Sequence, residues 1–177
     1  YDDSEISGDP GSGSFNAQNG LAINDGTTYV VSDFRDGEIQ KVDLEDRTVM
    51  NSFDAPSGSR AVGLAYGDGS LWFADGIDPA FDGEILELDP ETGEVRSRIS
   101  TSYDPTGLTF GENSLWVIDI TFNDIEEYSP DGTRVGGFDI RGPTDVTYGR
   151  GLAYFDGSLW VGEFAGSDGS STASLYE

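Results

Sequence analysis

Four edited copies of one pattern run along the chain, and no other feature limits its fold so tightly. The fullest copy is Gly151-Leu152-Ala153-Tyr154-Phe155-Asp156-Gly157-Ser158-Leu159-Trp160-Val161. Earlier copies are Gly107-Leu108-Thr109-Phe110 with Ser114-Leu115-Trp116-Val117, Gly63-Leu64-Ala65-Tyr66 with Ser70-Leu71-Trp72-Phe73, and Gly20-Leu21-Ala22-Ile23 with Thr28-Tyr29-Val30-Val31. Leu64, Leu108 and Leu152 are 44 residues apart, as are Trp72, Trp116 and Trp160, and Leu21 lies 43 before Leu64. A unit of this length cannot bury its own apolar face, so successive units must stack.

Each unit reads as four short strands. The Gly-Leu strand meets a tight turn of Gly, Asp and Asn, such as Gly67-Asp68-Gly69 or Asp156-Gly157, residues that supply the positive φ of hairpins. The aromatic strand follows and ends on Asp33, Asp75, Asp119 or Glu163. A third strand, such as Gly83-Glu84-Ile85-Leu86-Glu87-Leu88-Asp89, precedes a second turn and a fourth strand centred on Val49, Val95 or Val135. Helical periodicity is absent, so the chain is expected to be all-β.

From the end of strand three to the first apolar residue of strand four the step is six in three units: Asp43 to Val49, Asp89 to Val95, Ser129 to Val135. The last unit stops at Glu177, and counting on from Tyr1 puts Ile6 at the same sixth place. The spacing therefore predicts a four-bladed β-propeller of four-stranded antiparallel blades, with residues 2–8 as a strand completing the last blade. One domain spans residues 1–177, with units at about 15–55, 56–100, 101–140, and 141–177 plus 1–14. A ring joined in this way leaves no unfinished sheet. Two other arrangements stay open: two chains sharing an eight-bladed ring, and a segment of a longer array. The acidic stretch after Tyr1 reads as the start of a processed product or an excised segment.

Composition narrows the chemistry. With no cysteine and no histidine, the chain has neither disulfides nor thiolate sites, nor the commonest base and metal ligand near neutral pH. A formal charge of -25, from 34 acidic against 9 basic residues, argues against nucleic acid and anionic membranes as partners. Apolar runs are too short for membrane insertion. Dense carboxylates with one lysine, Lys41, suit a salt-adapted organism, where molar salt shortens the Debye length to about 3 Å. In dilute buffer the same charges repel and destabilise the fold.

Gly-Leu, a short turn, Leu-Trp-Val with an acidic residue, Gly83-Glu84-Ile85 and Asp89-Pro90-Glu91-Thr92-Gly93 together resemble the NHL-repeat and gluconolactonase-like propellers, including the streptogramin-lyase group. The resemblance covers nearly the whole chain and implies the propeller fold. It also implies a site at the channel mouth, where gluconolactonase-type enzymes hold a metal with Glu, Asn and Asp, one of them directly before the Gly-Leu strand. Here that position carries Asn19, Val62, Thr106 and Arg150, and the histidine through which streptogramin lyases work has no counterpart.

In such blades the turns after strands one and three lie on one face of the ring. The loops after strands two and four lie on the other, and these vary in length, which marks the face that meets something else. Asn16, Gln18, Arg60, Asp104 and Arg150 lie ahead of or at the start of first strands and are expected to ring the channel mouth on that face. Arg60 and Arg150 stand at equivalent places in alternate units. They are placed to clamp a carboxylate or other anion, or alternatively to neutralise acidic neighbours. Asp75, Asp78 and Asp82 lie within eight residues of a Gly-containing loop, a spacing of oxygen ligands that suits calcium. The bland alternative is that the Asp ending strand two caps loop backbone. The three Trp are expected to be blade-packing residues.

Two functions follow. One is a non-enzymatic binding or assembly module, extracellular or at the cell surface, taking a protein partner, another copy of itself or a small-molecule ligand on the long-loop face. The other is a metal-dependent lactonase- or lyase-type enzyme at the channel mouth.

Overall fold

In the computed structural model of the chain, the residues described are 20–24, 27–32, 37–56, 61–75, 83–101, 104–119, 121–140, 149–163 and 174–176. They form strands and turns with no α-helix, hence none long and apolar enough to cross a membrane. Blade 1 holds β1 (Gly20–Asn24), β2 (Thr27–Ser32), β3 (Glu38–Asp43) and β4 (Val49–Asp54). Blade 2 holds β5 (Ala61–Gly67), β6 (Ser70–Asp75), β7 (Glu84–Leu88) and β8 (Val95–Ser100). Blade 3 holds β9 (Pro105–Gly111), β10 (Ser114–Asp119), β11 (Asp124–Tyr128) and β12 (Arg134–Asp139). Blade 4 holds β13 (Gly149–Phe155), β14 (Ser158–Glu163) and β15 (Ser174–Tyr176).

Every blade is an antiparallel meander in chain order, and the first strands pack in sequence, β1 on β5, β5 on β9 and β9 on β13. This is the four-bladed β-propeller expected from the repeat. Blades 1 to 3 have four strands and blade 4 has three among the described residues. The segment 2–8, expected as the fourth, lies outside them.

The turns show why the sequence closes these hairpins. Both central residues of the first turn have positive φ in three blades: Asp68 (52°) and Gly69 (72°), Glu112 (52°) and Asn113 (64°), Asp156 (51°) and Gly157 (84°). Turns with two such residues match the right-handed twist of the strands they join. The second turn is held by a side chain. Asp43 Oδ1 accepts hydrogen bonds from the Glu45 and Asp46 amides, both at 2.8 Å, and Asp89 Oδ1 accepts from Glu91 (2.8 Å) and Thr92 (3.0 Å).

Those amides, together with Arg96 at 2.6 Å from Asp89 Oδ2, hold the Asp89 carboxyl at about 2, below its ordinary 3.8. The unfolded chain takes up a proton there before the folded one does, so the stabilisation is complete above 3.8 and is lost as pH falls toward about 2. Asp89→Asn is therefore expected to lower the thermal midpoint at neutral pH. The gap from wild type should narrow on acidification; a gap independent of pH would show that the ionised carboxylate contributes nothing.

The core lies between blades, not within them. Ala22, Tyr29 and Ile39 of blade 1 meet Leu64, Leu71, Phe73 and Leu86 of blade 2. Trp72, Ala74 and Ile85 of blade 2 meet Leu108, Leu115 and Val117 of blade 3. Ile118 and Ile125 of blade 3 meet Leu152, Leu159 and Val161 of blade 4. The period-two alternation of each strand thus serves two interfaces, one on each face of the sheet. At the inner rim an aromatic of the following blade sits on a glycine: a Cβ at Gly67 would be 2.1 Å from the Phe110 ring, and one at Gly111 would be 2.1 Å from the Tyr154 ring.

Outside the core, Lys41 pairs with Glu91 and lies 5.8 Å from the Tyr29 ring centroid, while Asn51 Nδ2 donates to the Glu91 carbonyl at 2.8 Å. These contacts tie the outer part of blade 1 to the second turn of blade 2.

Candidate functional site

Among the described residues each first strand pairs on one side only, so its other edge, with backbone N–H and C=O groups, faces the axis of the ring. The four edges enclose a cavity of about 470 Å³ lined by residues 20–23, 63–66, 107–110 and 151–154. Small residues recur at the first and third places of every quartet: Gly20 and Ala22, Gly63 and Ala65, Gly107 and Thr109, Gly151 and Ala153.

Among the described residues of this lining, the only ionisable side chains are the phenols of Tyr66 and Tyr154. Tyr66 stacks on Tyr29 with ring centroids 5.9 Å apart and planes 2° from parallel. The hydrogen bond between Tyr154 and Glu112, and then burial, push the Tyr154 hydroxyl above its ordinary range, so it stays protonated at neutral pH. Thr109 Oγ1 accepts a hydrogen bond from the Tyr154 amide at 3.0 Å, joining blades 3 and 4 across the rim. The cavity wall is thus neutral and largely apolar, with backbone edges as its polar groups. Such a wall suits non-covalent binding of a neutral group.

Of the residues expected around the channel mouth, Asn16, Gln18 and Arg60 lie outside the described residues. Arg150 falls inside β13, one residue past its start, and its side chain lies outside the description. Asp104 immediately precedes β9 and is half-buried. It adjoins Pro105, which pairs with Asp119, the last residue of β10. Asp104 is therefore brought beside the end of the second strand of its own blade.

Of the calcium candidates, Asp75 ends β6 and is half-buried, while Asp78 and Asp82 lie outside the described residues. The equivalent Asp119 shows what such a residue does. Only 5% exposed, its Oδ1 accepts from the Thr121 amide at 2.7 Å and the Phe122 amide at 3.3 Å. Burial pushes its carboxyl above the ordinary range, against the pull of those two amides. It caps the loop, as the structural alternative for this position expects. Among the described residues no three Asp or Glu gather closely enough to hold a metal ion.

The described cations are largely committed to the outer strands. Arg96 pairs with Asp89, Arg98 Nη1 with Glu84 Oε2 at 2.6 Å, and Arg134 Nε with Glu126 Oε1 at 2.9 Å. The axial cavity itself was not among the residues singled out from the sequence. Its signal is the small residue at alternate places of the Gly-Leu strand, which also reads as blade construction.

No protein-family model and no curated protein matches the sequence. Solved structures do match in shape. Glutaminyl cyclase from Myxococcus xanthus is 17% identical with a TM-score of 0.62, over 80% of this chain and 66% of that one. Streptogramin B lyase is 18% identical with a TM-score of 0.59, over 92% of this chain and 57% of that one. BamB from Moraxella catarrhalis is 15% identical with a TM-score of 0.56, over 81% of this chain and 39% of that one. The chain thus spans less than two thirds of the length of each. At such identities the likeness concerns the fold alone, and by fold this chain stands among the β-propeller proteins.

Proposed function

We propose that the chain is a non-enzymatic binding module that takes a protein partner on the ring face carrying the loops after the second and fourth strands. The observation that supports this most is the inequality of the two faces. On one, the turns are short, repeated and saturated by their own Asx contacts and positive-φ residues. On the other, the connections after the second strands run over residues 33–37, 76–83, 120–123 and 164–173, with no common length. Blade stacking asks for equal repeats; unequal loops on a regular scaffold are where recognition is built.

The strongly acidic composition supports an extracellular or cell-surface setting in a salt-adapted organism, where a protein partner meets the ring in concentrated salt. Arg60 and Arg150 supply the cationic contacts of the mouth, suited to carboxylates by bidentate hydrogen bonds. The test is retention of a partner from an extract of the source organism on immobilised protein in molar salt. The double variant Arg60→Ala, Arg150→Ala is expected to bind about tenfold more weakly, a loss of about 1.4 kcal/mol, with its thermal midpoint unchanged. Undiminished retention would refute this use of the two arginines. A stoichiometric metal, together with an activity abolished by Asp104→Ala, would replace the proposal with the metal-dependent lactonase or lyase reading.

A further inference from the structure

The hydrogen bonds at the outer ends of the blades fix where the inner strands aim their main-chain groups. The Ala55 amide donates to the Gly37 carbonyl, so these two residues are a bonded pair, and bonded and unbonded pairs alternate along an antiparallel ladder. Ile39 therefore bonds Phe53, Gln40 bonds Val30 and, one strand further in, Ala22 bonds Tyr29. Leu21 and Ile23, on either side of Ala22, turn their N–H and C=O groups away from β2 and towards the axis. The same count from the Thr101 amide on the Gly83 carbonyl, at 2.9 Å, turns Leu64 and Tyr66 inward. From the Ile140 amide on the Asn123 carbonyl, at 3.3 Å, it turns Leu108 and Phe110 inward. The Tyr154 amide, at the matching place of β13, agrees in direction: it leaves its own ladder and donates across the rim to Thr109 Oγ1.

Three of the four edges are partly closed. A Cβ at Gly20 would be 3.0 Å from the Leu64 nitrogen, and one at Gly63 would be 3.3 Å from the Leu108 nitrogen. Each of those amides thus lies against the preceding first strand, and Leu64 and Leu108 are only 2% and 4% exposed. On β13 the Tyr154 amide is spent on Thr109. On β1 both inward-turned residues are open, Leu21 at 60% and Ile23 at 61% exposed. This strand presents to the cavity donor, acceptor, donor and acceptor at the two-residue spacing of a sheet edge.

We propose that the axial cavity is a main-chain recognition site, in which an extended, uncharged segment of the protein partner pairs with the inner edge of β1. The occupant follows from the chemistry of the wall. Alternating N–H and C=O groups at strand spacing are matched by another extended main chain, the mode in which a peptide adds to a free sheet edge. The remaining wall is neutral and largely apolar, so it favours a segment without charged side chains. Four lining residues on each strand, at about 3.3 Å per residue, give a cavity about 13 Å deep, enough for about four residues of the segment. Glycine and alanine at alternate places of β1, Gly20 and Ala22, leave its edge free of bulk beside the pairing groups. First strands begin at the ring face that carries the long loops, so a partner docked on that face enters the cavity from its own side. The inference rests on the proposed function for the partner being a protein on that face.

The test uses a blocked, uncharged probe, acetyl-Thr-Val-Thr-Val-amide, titrated into the intact chain by calorimetry in molar salt. Saturable binding is expected. In an extended segment alternate amides point to opposite sides. N-methylation of both threonine amides and N-methylation of both valine amides are therefore expected to differ, one abolishing binding and the other tolerated. On the protein, Ile23→Pro removes an N–H that faces the cavity and serves no ladder bond, a place where a strand tolerates proline. It is expected to bind the probe about tenfold more weakly with unchanged circular dichroism. Ile23→Ala keeps the N–H and is expected to bind as the intact chain does. No saturable binding, equal effects of the two methylations, or an Ile23→Ala loss as large as that of Ile23→Pro would each overturn the proposal. So would undiminished binding by Ile23→Pro; should that variant not fold, the pair of methylated probes decides alone. Probe binding involves no partner from an extract, so failure here and failure of the retention experiment on the loop face are separate results.

Discussion

Trp72→Ala is expected to cost about 4 kcal/mol of folding stability, the largest loss from truncating any side chain among the described residues. Trp72 is 1% exposed, lies between Ala65, Ile85 and the Leu108 and Leu115 side chains of blade 3, and donates through Nε1 to the Gly67 carbonyl at 3.1 Å. Removing the indole opens a cavity at an interface between blades, where neighbours belong to different sheets and collapse onto it poorly. Against a total of about 5 to 15 kcal/mol for a typical domain, such a loss is severe. Trp116 makes the equivalent hydrogen bond to the Gly111 carbonyl at 3.3 Å but is half-buried, and Trp160 is half-buried as well. Their alanine variants should cost about half as much. Denaturant unfolding in molar salt measures the ranking; equal costs at the three positions would contradict the burial argument.

Gly63→Ala is the second large effect, about 3 kcal/mol, and its cause is a collision of backbones. A Cβ at Gly63 would stand 2.2 Å from the Thr106 carbonyl oxygen and 3.3 Å from Leu108 Cβ. No rotamer change relieves contact with a main-chain atom, so β9 must move away from β5 and the axial cavity must change shape with it. Gly69→Ala provides the comparison. Its φ of +72° is strained for alanine but a Cβ there meets nothing within 4 Å, so about 1 kcal/mol is expected. A Gly63→Ala variant no less stable than Gly69→Ala would show that the inner strands slide apart freely.

The two glycines illustrate what can be read before a structure exists. Gly69 lies in a turn signal between two apolar strands, and its positive φ follows from local geometry. Gly63 belongs to a repeated Gly-Leu pair, and its closeness to the next blade depends on a residue 43 positions further along. The acidic residue ending strand two was legible in the same partial way. The sequence offered either a cation site or a loop cap, and Asp119 acts as the cap because the Thr121 and Phe122 amides turn back within reach of Oδ1.

Of the candidate site, Asp104 was placed at the entry of a first strand, where it is found. A site at the channel mouth was expected, but the residues lining the axial cavity were not singled out, because its wall is made of backbone edges and small residues, which carry no chemical signature in a sequence.

By itself, the sequence determined the number of repeats, the strand order within each, the turn positions and the absence of histidine and cysteine chemistry. These are consequences of local geometry and residue type, and a period of 44 makes them visible. Only the tertiary structure decided which equivalent residues differ: Trp72 sealed and Trp116 half-buried, Leu64 covered and Leu21 open. Equivalent positions in a repeat have the same local surroundings but different neighbours, and burial belongs to the neighbours.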